Sequence, residues 1–350
     1  MNFANWEAYI DVDSKGNSPS LQAFTKQTGI KVNYKTVIND NDPFLAKIIP
    51  VLQAGQDTGY DLIVITNGGG IERMIALGFL TPLDHKFLPN WEANADPKTK
   101  NPNYDPGNQY TVVWQSGFTG IGYNPKLTKR EITSWNDLFD PAFKGKVGMF
   151  SENQDTGNLA LVGLGIKPES SSPKDWQKAA DKLKKQRDDG IVRKYYDQSY
   201  IDALSKGETA LSMAWSGDIF QANLSAGNND LKFVIPNEGG IIWTDNMCIP
   251  LGASHPLDAI TYMNWVYQPR IAATMAEYIE YITPVPGAQQ FIQQDAAAAK
   301  PADKAGLLEL AQDPNIFPSP ELLAKTSYYR VLDSAETTQW NDIFNAVIIA

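Results

Sequence analysis

The spacing of apolar and polar residues predicts alternating helices and strands in the first third of the chain. A helix is predicted where Ser18 can cap the N-terminus and Gly29 can end the last turn. Residues 30–36 then alternate apolar and polar side chains, as a half-buried strand does. A second helix, bent or started late at Pro50, precedes the compact apolar strand "YDLIVI". This rhythm predicts a βαβ sheet with helices on its faces.

The pattern breaks at residues 91–109, which are polar and rich in proline, and a second α/β region begins near Trp135. Strand-like and helix-like segments alternate again from there, and the tail from residue 286 is mostly helical in its pattern. Two α/β regions without an obvious linker predict a two-lobed molecule. Small ligands usually bind in the crevice of such a molecule, outside the carboxyl ends of the strands.

Composition narrows the classes of partner. The 350 residues carry a net charge of −10, which disfavours nucleic acid and anionic membranes and favours a cationic ligand. The longest apolar runs are too short to cross a bilayer, and the chain opens without the features of a signal peptide. With one cysteine, Cys248, and two distant histidines, His85 and His255, we expect no intrachain disulfide, no metal site and no cofactor.

Aromatic side chains and carboxylates recur together where predicted strands meet loops or helices. They occur in "NWEAY", "FSENQDTG", "MAWSGD", "GGIIWTDNM" and "EYITPVPG". In the fourth segment Trp243 and Asp245 are two apart, so in a strand both point the same way. An ammonium group gains about 0.5–2 kcal/mol over an aromatic ring, and a carboxylate holds its charge. The combination favours an organic cation as the ligand.

Each of these residues also has a structural interpretation. Trp215 and Trp243 suit a hydrophobic core, and Glu152 and Asp155 suit the start of a helix. Carboxylates beside aromatics also describe glycoside hydrolases, with Glu152 and Asp245 as the pair of acids, and stacking aromatics suit a sugar receptor. The glycines at 68–70 match neither nucleotide-binding motif, so nucleotide binding is not expected.

Several segments, in this order along the chain, resemble the spermidine/putrescine-binding proteins, which are the solute receptors of polyamine ABC importers. They are "NWEAYI", "FTKQTGIKV", "YDLIV", "GFTGIGYNP", "SWNDLFDPAFKGKVGM", "GETALSMAWSGD", "EGGIIWTDNMCIP" and "EYITPVPGA". The resemblance covers nearly the whole chain. It implies a two-lobed periplasmic-binding-protein type II fold that closes over a ligand in the cleft between the lobes. We expect lobe 1 at residues 1–113 plus 246–289, and lobe 2 at 114–245 plus 290–350.

The resemblance also implies the ligand contacts. They are Trp6, Tyr9, Thr66, Glu152, Asp155, Trp215, Trp243, Asp245 and Tyr281. The aromatic side chains are implied to wall the alkyl chain, and Thr66 to supply a hydroxyl. Asp245 is implied to anchor one amine, and the pair Glu152 and Asp155 to bind another.

The chain departs from the family pattern in three segments. Residues 67–70 read Asn-Gly-Gly-Gly where aromatics are frequent, Glu7 replaces a smaller polar residue, and Glu152 and Asp155 reverse the usual order of the two acids. A quaternary amine, an amino acid or another amine-bearing compound therefore stays an alternative to a polyamine. We expect a monomeric, non-enzymatic receptor that serves an ABC permease and resides in the periplasm or, membrane-anchored, outside the cell.

Overall fold

The computed structural model describes residues 1–348, apart from the side chains of Leu224, Ala302 and Asp303. Its strands are β1 (Asn2–Trp6), β2 (Asn33–Ile38), β3 (Leu62–Thr66), β4 (Thr111–Tyr123), β5 (Val147–Phe150), β6 (Val192–Tyr196), β7 (Leu211–Trp215), β8 (Lys232–Val234), β9 (Gly240–Cys248) and β10 (Thr326–Ser327). The prediction of an α/β fold is confirmed.

Helices flank or follow most of these strands. They are α1 (Pro19–Thr28), α2 (Asn41–Gln53), α3 (Gly70–Ala76), α4 (Pro89–Asn94), α5 (Pro125–Thr128), α6 (Asn153–Gly163), α7 (Pro173–Asp188), α8 (Tyr200–Ser205), α9 (Ser216–Ala226), α10 (Pro256–Val266), α11 (Pro269–Ile279), α12 (Ala288–Ala298), α13 (Pro301–Gln312), α14 (Pro320–Leu323) and α15 (Ser334–Ile348). Within the described residues, no helix is both long and apolar enough to span a membrane.

The first helices begin and end for local reasons. The Ser18 hydroxyl accepts from the backbone N–H of Leu21, and Gly29 ends α1 with φ of 78°, in the left-handed region that glycine adopts readily. Of the two alternatives expected at Pro50, a bend or a late start of the helix, the late start is wrong. Helix α2 already begins at Asn41, capped by the Asp40 carboxylate, and Pro50 lies inside it.

The chain divides into two compact units. The first unit is Met1–Ser116 with Thr244–Pro318, and the second unit is Gly117–Trp243 with Ser319–Ala350. The chain passes from one unit to the other inside β4 and inside β9. The units differ from the expected lobes mainly at residues 290–318, which the structure assigns to the first unit.

Contacts among α11, α12 and α13 explain that assignment. The Arg270 guanidinium on α11 forms an ion pair with Asp295 on α12 at 2.5 Å. The side-chain amide of Gln289 on α12 donates to the carbonyl oxygen of Ala311 on α13 at 2.8 Å. These helices therefore extend the first unit, and the boundary at Thr244 also places Asp245 there rather than in the second lobe.

In the first unit, β1 lies between β2 and β3 and is parallel to both. Strand β3 pairs antiparallel with β9, with Thr66 directly opposite Asp245. A core of buried aliphatic and aromatic side chains, including Phe44, Leu45 and Ile65, covers one side of this region. The register brings the polar end of β3 to the acidic position of β9.

In the second unit, β5 is parallel to β6 and β7, and β7 is antiparallel to β4, with Thr119 opposite Trp215. Helix α15 packs against α6 and α7, where the ring of Trp340 meets Trp176 edge-on at 5.3 Å. The final helix of the chain thus completes the core of this unit. The segment just before it contributes a side chain to the candidate site.

Candidate functional site

Asp245 lies at the centre of a polar cluster in the first unit. Its carboxylate is 5% exposed. The Thr66 hydroxyl, opposite it across β3 and β9, donates to Oδ1 at 2.6 Å, and the Tyr9 hydroxyl donates to Oδ2 at 2.6 Å. Both donors are neutral hydroxyl groups that orient the carboxylate. We refer to Tyr9, Thr66, Asp245 and Tyr281 as the Asp245 cluster.

Neighbouring elements hold this cluster in place. The side-chain amide of Asn41 on α2 donates to the Thr66 hydroxyl at 3.0 Å. The ring of Tyr281 meets the ring of Tyr9 edge-on, with centroids 5.8 Å apart. Tyr281 follows Glu280, whose φ of 61° ends α11 and turns the chain toward this position. Four predicted contacts therefore meet here.

Trp6 has a different environment. Its indole N–H donates to the carbonyl oxygen of Val64 at 3.1 Å, and its partly buried ring packs against the hydrophobic core of the first unit. The structure thus anchors Trp6 by its neighbouring strand.

Asp155 lies at the centre of a second cluster, in the second unit. It is 4% exposed and accepts from Trp215 Nε1 at 2.7 Å, Thr119 Oγ1 at 2.8 Å and Tyr329 Oη at 2.5 Å. Burial raises the pKa of Asp155, while the hydrogen bonds from Tyr329, Trp215 and Thr119 act in the opposite direction. We refer to Thr119, Asp155, Trp215 and Tyr329 as the Asp155 cluster.

The indole of Trp215 is held on its ring faces as well as at its nitrogen. Its ring lies 4.5 Å from that of Phe150 and 6.0 Å from that of Tyr200. The Trp215 backbone N–H donates to the Tyr200 hydroxyl, which in turn donates to Asp218 at 2.7 Å. Trp215 is therefore both a packed side chain and a donor to Asp155.

Glu152 and Trp243 are also in the second unit. Glu152 caps α6, because its carboxylate accepts from the backbone N–H of Gln154 at 2.7 Å and of Asp155 at 3.0 Å. Its interpretation as a helix-start charge is thus supported, and the same contact ties it to Asp155. Trp243 is 7% exposed and is the last residue of this unit on β9, two positions before Asp245.

Sequence reasoning missed Thr119 and Tyr329. Thr119 carries a weak signal, since it is a hydroxyl between Phe118 and Gly120 in a strand that is buried along its whole length. Tyr329 carries none, because its contact with Asp155 spans 174 positions and depends on the C-terminal segment returning to the second unit.

Other chemistry is not assembled in the described part of the chain. No group of three or more metal-binding side chains occurs there. Burial raises the pKa of the Cys248 thiol, which makes it a poor nucleophile. His255 contacts the Asp61 carboxylate at 3.3 Å, at the end of β3 away from Thr66.

Comparison with known proteins shows the family of the chain. Residues 20–306 match the family described as bacterial extracellular solute-binding protein. The chain belongs to this family. The members of the family are solute-binding proteins.

Individual relatives extend the match over most of the chain. It is 31% identical to the spermidine/putrescine-binding periplasmic protein of Escherichia coli over 86% of this chain and 82% of the relative. It is 30% identical to the putrescine-binding periplasmic protein SpuD of Pseudomonas aeruginosa, over 98% and 91%. Both are periplasmic binding proteins by name, and the expected resemblance to the spermidine/putrescine-binding proteins is confirmed.

The solved structures agree. The spermidine/putrescine ABC transporter substrate-binding protein PotD of Streptococcus pneumoniae has a TM-score of 0.80 at 26% identity, covering 100% of this chain and 98% of that one. The TpPotD lipoprotein of Treponema pallidum has a TM-score of 0.81 at 19% identity, covering 100% and 99%, and shows the fold alone. The predicted two-lobed fold class of periplasmic solute-binding proteins is confirmed.

Proposed function

We propose that this protein is a polyamine receptor that delivers spermidine, putrescine or a close analogue to an ABC importer. The observation that carries the proposal is the pair of buried aspartates, Asp245 and Asp155, each oriented by neutral hydroxyl or indole donors. An ammonium group compensates the charge of a buried carboxylate and donates hydrogen bonds to it, and a polyamine carries such a group at each end. The names of the relatives support the same ligand class.

We assign one ammonium group of the ligand to the Asp245 cluster and another to the Asp155 cluster. Aromatic rings accompany both acids: Tyr9 and Tyr281 in the first unit, and Trp215 in the second. Each ring offers a cation–π contact of about 0.5–2 kcal/mol and covers methylene groups at about 0.8 kcal/mol each. Trp6, Glu152 and Trp243 complete the proposed contacts, with Glu152 acting beside Asp155.

A different amine on the same scaffold is the second candidate. The turn after β3 has glycine at positions 68–70, so these three positions offer no side chain to a ligand. A glycosidase is less well supported, because the Glu152 carboxylate is engaged in capping α6 and the family is one of solute-binding proteins.

A thermal-shift panel separates these candidates. Spermidine and putrescine are compared with glycine betaine, arginine and maltose, each at millimolar concentration. A ligand at one hundred times its Kd stabilises the folded protein by about 2.7 kcal/mol, so a rise of several degrees in Tm is expected for the polyamines alone. A rise with betaine or maltose and none with polyamines would reject the proposed ligand class.

We further propose that the receptor acts as a monomer, in the periplasm or outside a cell to which it is anchored, and that a permease of the ABC type is its partner. The relatives are named periplasmic or ABC transporter proteins, which supports this setting. Light scattering after gel filtration checks the monomer. Stimulation of the ATPase of the reconstituted importer by the liganded receptor checks the partner.

A further inference from the structure

The turn that follows β3 has three successive glycines, Gly68, Gly69 and Gly70, after Asn67. Gly68 has φ of 93° and Gly69 has φ of 141°, values that residues with a Cβ atom rarely adopt. A Cβ atom on Gly70 would come within 2.8 Å of the Ile65 side chain. Gly68 and Gly69 are therefore favoured by the backbone conformation, and Gly70 by its packing against Ile65.

One carboxylate closes this turn. Glu72 accepts from the backbone N–H of Gly68 at 2.9 and 3.1 Å, and from that of Gly69 at 2.7 Å. Burial raises the pKa of Glu72, and the N–H groups of Gly69 and Gly68 act against that rise. The shape of the turn thus depends on a side chain that the proposed ligand contacts do not include.

The turn is tied to Asp245 by two neighbouring residues. Thr66 precedes it and donates to the Asp245 carboxylate. Asn67 is 4% exposed and bonds Thr244 twice: its N–H donates to the Thr244 carbonyl at 3.0 Å, and its side-chain oxygen accepts from the Thr244 N–H at 2.8 Å. A displaced turn would therefore displace both the hydroxyl on Asp245 and the strand that carries it.

Tyr104 lies close enough to both Glu72 and Asp245 for their charges to affect its hydroxyl group. Its hydroxyl donates to Asn246, the residue after Asp245, at 2.9 Å. Burial raises the pKa of Tyr104, and the charges of Glu72, Asp105 and Asp245 add to the rise. The charges of Glu72 and Asp245 thus both raise the pKa of the Tyr104 hydroxyl.

We propose that Glu72 is a positioning residue of the amine site: it holds the glycine turn so that Thr66 and Asn67 keep Asp245 oriented toward the ligand's ammonium group. The role of Glu72 in amine binding rests on the proposed function. Its role in holding the glycine turn does not, because that role needs no ligand. Two measurements separate these parts.

The first measurement is amide hydrogen exchange in the ligand-free protein. Glu72→Gln should speed exchange at the Gly68, Gly69 and Thr244 amides by at least tenfold. The matched control is Asp137→Asn in the second unit, because Asp137 accepts from two successive backbone N–H groups, at 2.9 and 3.0 Å. It should leave the three amides unchanged. Unchanged exchange in Glu72→Gln would overturn the inference.

The second measurement is a pair of double-mutant cycles by calorimetry with spermidine. Glu72→Gln should weaken binding about tenfold in the wild type and in Asp155→Asn, but less than twofold in Asp245→Asn. Equal losses in both backgrounds would overturn the positioning role. A wild type that binds no polyamine would reject the proposed function. Amide hydrogen exchange would then still show whether Glu72 holds the glycine turn. If Glu72→Gln does not fold, Glu72→Asp takes its place in both measurements.

Discussion

Glu280 is a buried acid in the first unit, and its replacement by glutamine should stabilise the protein. The side chain is 1% exposed, and neither carboxylate oxygen has a hydrogen-bond partner among the described residues. Burial, with a smaller contribution from the charge of Asp313, raises the pKa of Glu280 from 4.5 to about 8. The folded protein therefore binds a proton at Glu280 more tightly than the unfolded chain does.

The sign of the pH dependence follows from that difference. Stability is highest below the unfolded pKa of 4.5. It falls as pH rises from 4.5 to the folded pKa of about 8, because the carboxyl ionises in the unfolded chain while the folded protein keeps its proton, and it levels off above that pH. Each pH unit in this window corresponds to about 1.4 kcal/mol. The wild type thus loses about 3 kcal/mol by pH 7 and about 5 kcal/mol by pH 9 relative to acid.

Urea unfolding at several pH values, followed by tryptophan fluorescence, measures this effect. Glu280→Gln should match the wild type near pH 4.5 and exceed its stability by about 3 kcal/mol at pH 7. Glu309→Gln, which removes an exposed acid of the same unit, should change stability little. A Glu280→Gln variant that gains nothing at pH 7, or gains equally at all pH values, would refute the reasoning.

Three further predictions concern the second unit and the helices. An ammonium ligand needs ionised Asp155, and burial raises the pKa of this carboxyl. The affinity for spermidine should therefore fall as pH drops through that raised pKa, which calorimetry across pH 4–8 would measure. An affinity that does not change with pH would contradict this prediction. Tyr329→Phe removes a hydrogen bond that lowers this pKa, so the fall should begin at higher pH, and a shift to lower pH would contradict it. Gly163→Ala would put a Cβ atom 1.9 Å from the buried Trp135 ring, so the free energy of unfolding in urea should fall by about 1–3 kcal/mol. The control Gly306→Ala, whose Cβ atom meets no atom within 4 Å, should stabilise the protein slightly. Equal effects of the two substitutions would be inconsistent with the packing.

Much of the fold was predictable because its signals are local. The cap at Ser18, the glycine end of α1 and the alternation of the strands each depend on a few neighbouring residues. The lobe boundary was harder to place. Residues 290–318 join the first unit through contacts such as Arg270 with Asp295, which helical periodicity does not specify.

The candidate site likewise combines residues that local sequence patterns indicate with residues that only long-range contacts identify. Composition and the joint recurrence of aromatics with acids indicated Asp155 and Asp245, and the structure places both in buried polar clusters. The donors that orient them come from far along the chain: Tyr9 is 236 positions from Asp245, and Tyr329 is 174 positions from Asp155. The strand pairing of the first unit brings Tyr9 to Asp245, and the return of the C-terminal segment brings Tyr329 to Asp155.

The most direct test of the account is the affinity for spermidine of Asp245→Asn and Asp155→Asn, measured by calorimetry at pH 7. The controls are Asp61→Asn, a buried aspartate at the opposite end of β3, and Asp137→Asn in the second unit. Removing one partner of a buried charge pair costs about 2–5 kcal/mol, so each site variant should bind at least thirtyfold more weakly, and the controls within twofold of the wild type. Wild-type affinity in both site variants would contradict the central claim that these two carboxylates hold the ligand's ammonium groups.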